Sequence, residues 1–106
     1  MGGNEALTKI DHVAIKSSNI SRDTQWYSQE FGLKVTYQDE TWALLESSTC
    51  FLALVTPGQH PAHVSFLMEG EPPHDALKHR DGTFSKYGKD LSGNIVEYLW
   101  RNDSVK

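Results

Sequence analysis

The stretch DHVAI at residues 11–15 decides the fold, because a related stretch, AHVSF, returns at residues 62–66. The histidine moves from His12 to His63, a shift of 63 − 12 = 51 positions. Both stretches are rich in residues that favour β-strands. The repeat therefore predicts two related modules, each opened by a strand that carries a histidine.

The first module has the predicted order β-α-β-β-β. Its opening strand at 9–16 is followed by a helix at 21–31, which Asn19 or Ser21 can cap and which Gly32 ends. Three strands joined by short polar turns complete this module, at 33–39, 41–46 and 50–55.

The second module is a shorter copy of the first. From His12 to Ala53 the first module spans 53 − 12 = 41 residues, whereas from His63 to Glu97 the second spans 97 − 63 = 34. The missing seven fall within 71–80, which allows at most a short helix or a turn. The strands of this module are predicted at 62–69, 82–90 and 94–100, the last two forming a hairpin about Ser92-Gly93.

We therefore predict an α+β fold of two βαβββ modules, the second one shortened, which form a cupped, partly closed mixed β-sheet barrel. One domain at 8–100 comprises module one at 8–57 and module two at 61–100. The ends, 1–7 and 101–106, are expected to be flexible. Sheets of this kind expose long edges, which a homodimer would cover.

Composition and charge narrow the classes of partner. The chain of 106 residues has a net charge of −4, and its only basic cluster, Lys78-His79-Arg80, is too short to follow a phosphate backbone. We therefore expect no nucleic-acid partner. No apolar run has the length of a membrane span, and the first residues lack the apolar core of a signal peptide. Cys50 is the single cysteine and cannot form an internal disulfide, which favours the cytoplasm.

The closing strand at 94–100 carries a glutamate among apolar residues. Alternation along the strand places Glu97 on one face with Ile95 and Leu99. A carboxylate buried without a partner is costly, so a cation such as Arg80, Lys86 or a metal ion is expected beside it.

Two histidines on equivalent opening strands make the metal the favoured choice. His12 and His63 would lie across from each other on the concave side, where Glu97 completes a set of three ligands. Each histidine alone is more often a core or surface residue, so the hypothesis depends on the three occurring at matched positions. The small residues Ala14, Ser65 and Ala53 are expected to shape the pocket.

Three motifs carry a resemblance to a known group of proteins. They are DHVAI at 11–15, the helix end Trp26-Tyr27-x-x-x-Phe31-Gly32-Leu33, and Asp90-x-x-Gly93-Asn94-x-x-Glu97. Over about residues 8–100 the chain resembles the vicinal oxygen chelate superfamily, which contains glyoxalase I, bleomycin and fosfomycin resistance proteins and extradiol dioxygenases. Leu91 replaces the proline of the last motif. The resemblance implies His12, His63 and Glu97 as ligands of one divalent ion: iron, manganese, nickel or zinc.

Departures from the family pattern bear on the reaction. Ala53 stands where glyoxalase I has a fourth ligand, so the ion would keep open positions, as in dioxygenase-like or fosfomycin-enzyme-like members. Tyr87 lies 97 − 87 = 10 residues before Glu97, the spacing of a tyrosine in extradiol enzymes, and His79 lies near an assisting histidine of theirs, one residue out of step. Their proton-accepting histidine would fall near Thr49 or Cys50, which argues against that reaction.

Tyr87 and His79 are the candidate catalytic residues. We predict that Tyr87 lies near Ile95 to Val96, rather than directly opposite Glu97, and faces the metal. His79 or Arg80 would bind an anionic group at the rim; alternatively, Tyr87 packs under the sheet and His79-Arg80 form a solvated turn.

Three function classes stay open. The favoured one is a metal-dependent enzyme acting on a small oxygen-bearing metabolite that chelates the ion. The alternatives are a metal-free small-molecule binding protein of the bleomycin-resistance type and a degenerate structural module.

Overall fold

The computed structural model describes residues 7–79 and 82–101. Within these ranges the chain forms one helix and eight strands. The elements are β1 (Ile10–Lys16), α1 (Ile20–Phe31), β2 (Lys34–Gln38), β3 (Trp42–Glu46), β4 (Phe51–Val55), β5 (His63–Met68), β6 (Leu77–Lys78), β7 (Phe84–Lys89) and β8 (Ile95–Trp100).

The strands form a single mixed sheet in the order β2-β3-β4-β1-β5-β8-β7-β6. β1 runs parallel to β4, and β5 runs parallel to β8, so each opening strand pairs with the closing strand of its own module. β1 and β5 join the modules as antiparallel neighbours about the pair Val13 and Val64. The prediction of an α+β fold built from two related modules is confirmed; the sheet is cupped and does not close into a barrel.

Helix α1 is capped by Asn19 at its N-terminus and by Gly32 at its C-terminus. The side chain of Asn19 accepts a hydrogen bond from the backbone N–H of Arg22 at 3.0 Å, which satisfies a free donor of the first turn. Gly32 ends the helix at φ 71°, a left-handed conformation that glycine adopts without strain.

The helix covers the outer face of module one. Ile20 packs there with Ala43, Leu45 and Leu54, all of which are buried. Because side chains alternate along a strand, the neighbours of these residues on β3 and β4 face the other side. That opposite side is the concave face, where Ala14, Ala53 and Val55 are buried against Trp42 and Leu44.

Module two has no helix among its described residues. The segment at 71–79, for which a short helix or a turn was predicted, contains a turn and the two-residue strand β6. Tyr98 covers part of the outer face instead: a Cβ at Gly88 would lie 3.2 Å from Cε1 of this side chain, so the ring lies close against the glycine. Tyr98 itself is 40% exposed.

The expectation of flexible ends falls mainly on 1–6 and 102–106, which lie outside the described residues, as does Arg80. No described helix is long and apolar enough to cross a membrane.

Candidate metal centre

Three neighbouring strands bring the candidate ligands to the concave face. His12 lies on β1, His63 opens β5, and Glu97 lies on β8. In the register of the sheet, Ser65 of β5 pairs with His12 on one side and with Glu97 on the other. Paired residues point to the same side of a sheet, so the three side chains converge on one point.

The three converging atoms form a nearly equilateral triangle. Nε2 of His12 lies 3.2 Å from Nε2 of His63, and Oε1 of Glu97 lies 3.3 and 3.4 Å from these two nitrogens. Two atoms that each bind an ion at about 2.1 Å lie roughly 3.0 Å apart at a right angle and roughly 3.4 Å apart at the tetrahedral angle. The triangle therefore has the size of one face of a metal-coordination shell, and these three groups can hold a metal ion.

Hydrogen bonds fix both imidazole rings with Nε2 toward the centre. Nδ1–H of His12 donates to Oδ2 of Asp11 at 2.8 Å, and Nδ1–H of His63 donates to the carbonyl of Pro61 at 2.7 Å. Because a carboxylate and a carbonyl only accept, the proton must sit on Nδ1 in each neutral ring. Each Nε2 then presents a lone pair, as metal-binding histidines do.

Glu97 completes a set of three acceptors when both imidazole rings are neutral. The carboxylate is 6% exposed, and its Oε1 is buried without a hydrogen bond. Such an arrangement is unfavourable unless a cation lies at its centre. The fit of the site to a metal rests on this convergence of three acceptors.

Without a metal, a proton on His12 is the available cation. Burial lowers the pKa of His12, but its hydrogen bond to Asp11, its contact with Glu97 and the charges of both carboxylates more than offset burial and raise the pKa to about 9. Burial raises the pKa of Glu97, yet the contacts with His12 and His63 hold that pKa well below its usual range. The centre therefore favours positive charge strongly.

Asp11 is itself held by the end of the chain. Arg101 donates from Nε to Oδ1 at 2.9 Å and from Nη2 to Oδ2 at 3.0 Å. Burial raises the pKa of Asp11, but its bonds to His12 and Arg101 outweigh burial and keep it below the ordinary value. Sequence reasoning missed both residues: the adjacency of Asp11 to His12 was a usable signal, whereas Arg101 fell in the end expected to be flexible.

The centre lies in a cleft of about 240 Å³ between the two halves of the sheet. Ala14 and Ala53, which pair across β1 and β4, are the small residues that line its floor. The cleft is lined by Asp11, His12, Ala14, Trp42, Leu44, Ala53, Val55, His60, His63, His79, Thr83, Tyr87, Glu97, Leu99 and Arg101.

Tyr87 reaches the cleft, but its predicted register was wrong. The residue pairs directly with Glu97 across β7 and β8, rather than lying near Ile95 to Val96. Its ring meets His63 edge to face, with the ring centres 5.2 Å apart. Burial, followed by the charge of Glu97, raises the pKa of Tyr87 to about 12, so the phenol keeps its proton at neutral pH.

His79 also lines the cleft, half-buried, with Nε2 2.6 Å from Oγ of Ser85. Of the suggested protein partners of Glu97, Lys86 instead forms an ion pair with Asp75 at 2.9 Å, and Arg80 lies outside the described residues. Of the other loop histidines, His74 is exposed, and His60 is exposed at the mouth of the cleft.

Comparison with known proteins supports the fold at low sequence identity. No family model matches the chain, and no curated protein is similar to it in sequence. A hypothetical protein of Bacillus halodurans superposes with a TM-score of 0.74 at 12% identity, covering 95% of this chain and 99% of that one.

Methylmalonyl-CoA epimerases are further structural neighbours. The Mycobacterium tuberculosis enzyme superposes with a TM-score of 0.72 at 14% identity, covering 94% of this chain and 92% of its own. A Streptomyces coelicolor variant, solved with 2-nitronate-propionyl-CoA, gives 0.71 at 16% identity, with coverage of 92% and 99%. The similarity shows that the chain has the fold found in the vicinal oxygen chelate superfamily.

Proposed function

We propose that the chain is a metal-dependent enzyme in which His12, His63 and Glu97 hold one divalent ion. A small oxygen-bearing metabolite would bind to the open positions of that ion. The observation that supports the proposal is the triangle of Nε2 of His12, Nε2 of His63 and Oε1 of Glu97, 3.2 to 3.4 Å apart, in which all three atoms are acceptors when both rings are neutral.

The types of ligand atom limit which metal ions the site would bind and what chemistry the ion would support. Two imidazoles and a carboxylate suit iron, manganese, nickel or zinc. Bound there, the ion would polarise a ligated oxygen and stabilise negative charge that develops on it. Three protein ligands leave room for the substrate, since Ala53 adds none.

Tyr87 and His79 would act on the bound molecule from one side of the cleft. Because the pKa of Tyr87 is raised to about 12, its hydroxyl would donate a hydrogen bond to a substrate oxygen. His79, oriented by its contact with Ser85, would hold or move a proton from the rim. The rim role suggested for Arg80 lies outside the described residues.

The proposal also covers the oligomeric state of the protein and its cellular compartment. Every residue of the edge strand β2 is exposed, including Val35 and Tyr37, which supports a homodimer that covers this edge. The single Cys50 is consistent with a reducing compartment, and we propose a cytoplasmic protein.

A metal-free binding protein is the second candidate. It is favoured by the apolar lining formed by Trp42, Leu44 and Val55, and by the raised pKa of His12, which lets a proton balance Glu97 in the absence of an ion. The structural neighbours include enzymes, which favours the first candidate over a degenerate structural module.

Elemental analysis combined with melting curves separates the two candidates. We expect the protein purified without chelators to carry up to one divalent ion per chain, and its melting temperature to rise when the metal-free form is given that ion. Both effects should vanish in His63→Ala and persist in His74→Ala, an exposed histidine outside the cleft. A protein that shows neither effect would favour the metal-free candidate.

A further inference from the structure

The two modules present opposite chemistry to the centre although they share one topology. β3 pairs with β4 as β7 pairs with β8, antiparallel in both cases. Leu44 lies opposite Ala53 in module one, and Tyr87 lies opposite Glu97 in module two. Equivalent places in the two modules therefore carry a leucine and a tyrosine on opposite sides of the same cleft.

The side from module one is an apolar wall formed by Trp42, Leu44, Ala53 and Val55. Val55 and Ala53 are buried, and Trp42 and Leu44 pack against them half-buried. Tyr37 supports Trp42 from the side, with the ring centres 4.7 Å apart and the planes 31° apart. This wall offers dispersion contacts and apolar surface to a ligand.

The side from module two is a polar wall formed by His79, Thr83 and Tyr87. In module one, Trp42 lies opposite Val55. At the equivalent place in module two, Ser85 lies opposite Leu99. Ser85 is 2% exposed, and its hydroxyl lies 2.6 Å from Nε2 of His79, which it holds at the edge of the cleft. Among the described residues, the hydrogen-bonding side chains of His79, Thr83 and Tyr87 thus line the module-two side of the cleft, together with the apolar Leu99.

The net charge of the metal-loaded centre determines which ligand charge is favoured. A divalent ion with Glu97 and two neutral histidines carries a net charge of +1. Asp11 adds no net charge, because it is bonded to Arg101 through both of its oxygens. A ligand with a single negative charge would neutralise the centre, which is favourable at a buried site.

The volume of the cleft limits the ligand further. At about 240 Å³ it is smaller than the roughly 300–1,000 Å³ of pockets that hold drug-sized molecules. A bidentate headgroup and one short apolar substituent would use this space.

We infer that the substrate is a small monoanionic 2-hydroxy or 2-oxo carboxylate with an apolar substituent between a branched alkyl group and a phenyl ring in size. Its two oxygens bind the ion, its apolar substituent packs on the apolar wall, and the polar wall faces its oxygens. This inference rests on the proposed function, since the ion is what holds the headgroup.

Calorimetric titration of the Ni²⁺-loaded protein with glycolate and with racemic mandelate tests the inference. The two acids share the chelating headgroup, and mandelate adds a phenyl ring. We expect mandelate to bind at least about tenfold more tightly, because the ring buries apolar surface. Trp42→Ala and Leu44→Gln should each remove most of that advantage, because they lower the affinity for mandelate more than the affinity for glycolate.

Leu77→Gln is the matched control, because Leu77 is 64% exposed on β6 and does not line the cleft. Each variant is first titrated with Ni²⁺, and one ion bound per chain shows that its centre is intact. Equal affinities for the two acids, failure of both acids to bind the loaded protein, or a mandelate advantage that survives both substitutions in the apolar wall would each overturn the inference. A wild-type protein that takes up no metal would instead refute the proposed function on which it rests.

Discussion

Asp11 and Arg101 lie 90 positions apart in the chain and meet beside the candidate metal centre. The guanidinium of Arg101 donates to both oxygens of Asp11, at 2.9 and 3.0 Å, and Asp11 accepts the Nδ1 proton of His12 at 2.8 Å. The last described residue of the chain thus orients the first candidate ligand. Carboxylates that hold metal-binding histidines in this way also raise the basicity of the ring.

Asp11→Asn is expected to weaken metal binding without abolishing it. The amide removes the charge beside His12 and can present its NH₂ group to the ring, so the preferred position of the ring proton is lost. We expect about a 10- to 100-fold loss in affinity, measured by calorimetric titration with Ni²⁺ or Zn²⁺.

Asp75→Asn is the matched control for that substitution. Asp75 is exposed and forms its ion pair with Lys86, away from the centre. Unchanged metal affinity in Asp11→Asn would show that the hydrogen bonds from Arg101 to Asp11 and from His12 to Asp11 do not help His12 to bind the metal.

Metal binding is expected to release a proton at neutral pH. The folded pKa of His12 is raised from 6.5 to about 9, so the metal-free protein keeps this proton, and the stability that it contributes is complete below about pH 6.5 and is lost as the pH rises through about 9. An ion must displace the proton. Apparent metal affinity should therefore rise with pH, by up to about tenfold per pH unit, and level off near pH 9.

Titrations at pH 7 in two buffers with different ionisation enthalpies measure the released proton directly. We expect close to one proton per ion at pH 7 and little release at pH 9.5. Equal observed enthalpies in the two buffers at pH 7 would contradict the protonated state assigned to His12.

Tyr87→Phe should leave the metal in place and weaken the ligand. The ring still packs edge to face against His63, but the hydroxyl that would donate to a ligand oxygen is gone. We expect unchanged affinity for Ni²⁺ and a fewfold to about tenfold loss in affinity for mandelate, the size of one hydrogen bond. Loss of metal in this variant would assign Tyr87 a structural role instead.

The homodimer is tested by sedimentation velocity at high micromolar concentration. We expect a species of twice the 11.9 kDa chain mass, because β2 lies at the edge of the described sheet and all five of its residues are exposed. Val35→Lys should shift the equilibrium toward monomer by placing a charge on that edge. A wild-type protein that sediments as a monomer would contradict the prediction.

The internal repeat in the sequence predicted most of the fold and the three candidate ligands. A histidine in each opening strand and a glutamate in the last strand are local features, and the pairing of Val13 with Val64 that brings them together follows from the symmetry of the two modules. Burial of Glu97 among apolar neighbours was visible from strand alternation alone.

The register of Tyr87 depended on the geometry of one turn. Asp90 and Asn94 close a loop that Asp90 also holds by accepting from the backbone N–H groups of Ser92 and Asn94. The loop is centred on Ser92, since 87 + 97 = 2 × 92, and this places Tyr87 opposite Glu97. Pattern reading does not fix a hairpin to one residue, because loop length and turn type set its register.

The link between Asp11 and Arg101 could not be predicted from sequence. It joins residues at the two ends of the described chain, and no periodicity or spacing relates them. Only the parallel pairing of β5 with β8, next to β1, brings the end of β8 close to the start of β1.

Calorimetric titration of the metal-free protein with a divalent ion tests the central claim most directly. We expect one ion per chain in the wild type and in His74→Ala, and at least a hundredfold weaker binding in His63→Ala and in Glu97→Gln, each of which removes one corner of the triangle. Far-UV circular dichroism of all four proteins should match, which shows that the sheet is intact. Binding of equal strength in the wild type and in both triangle variants, or no binding in any of them, would contradict the account.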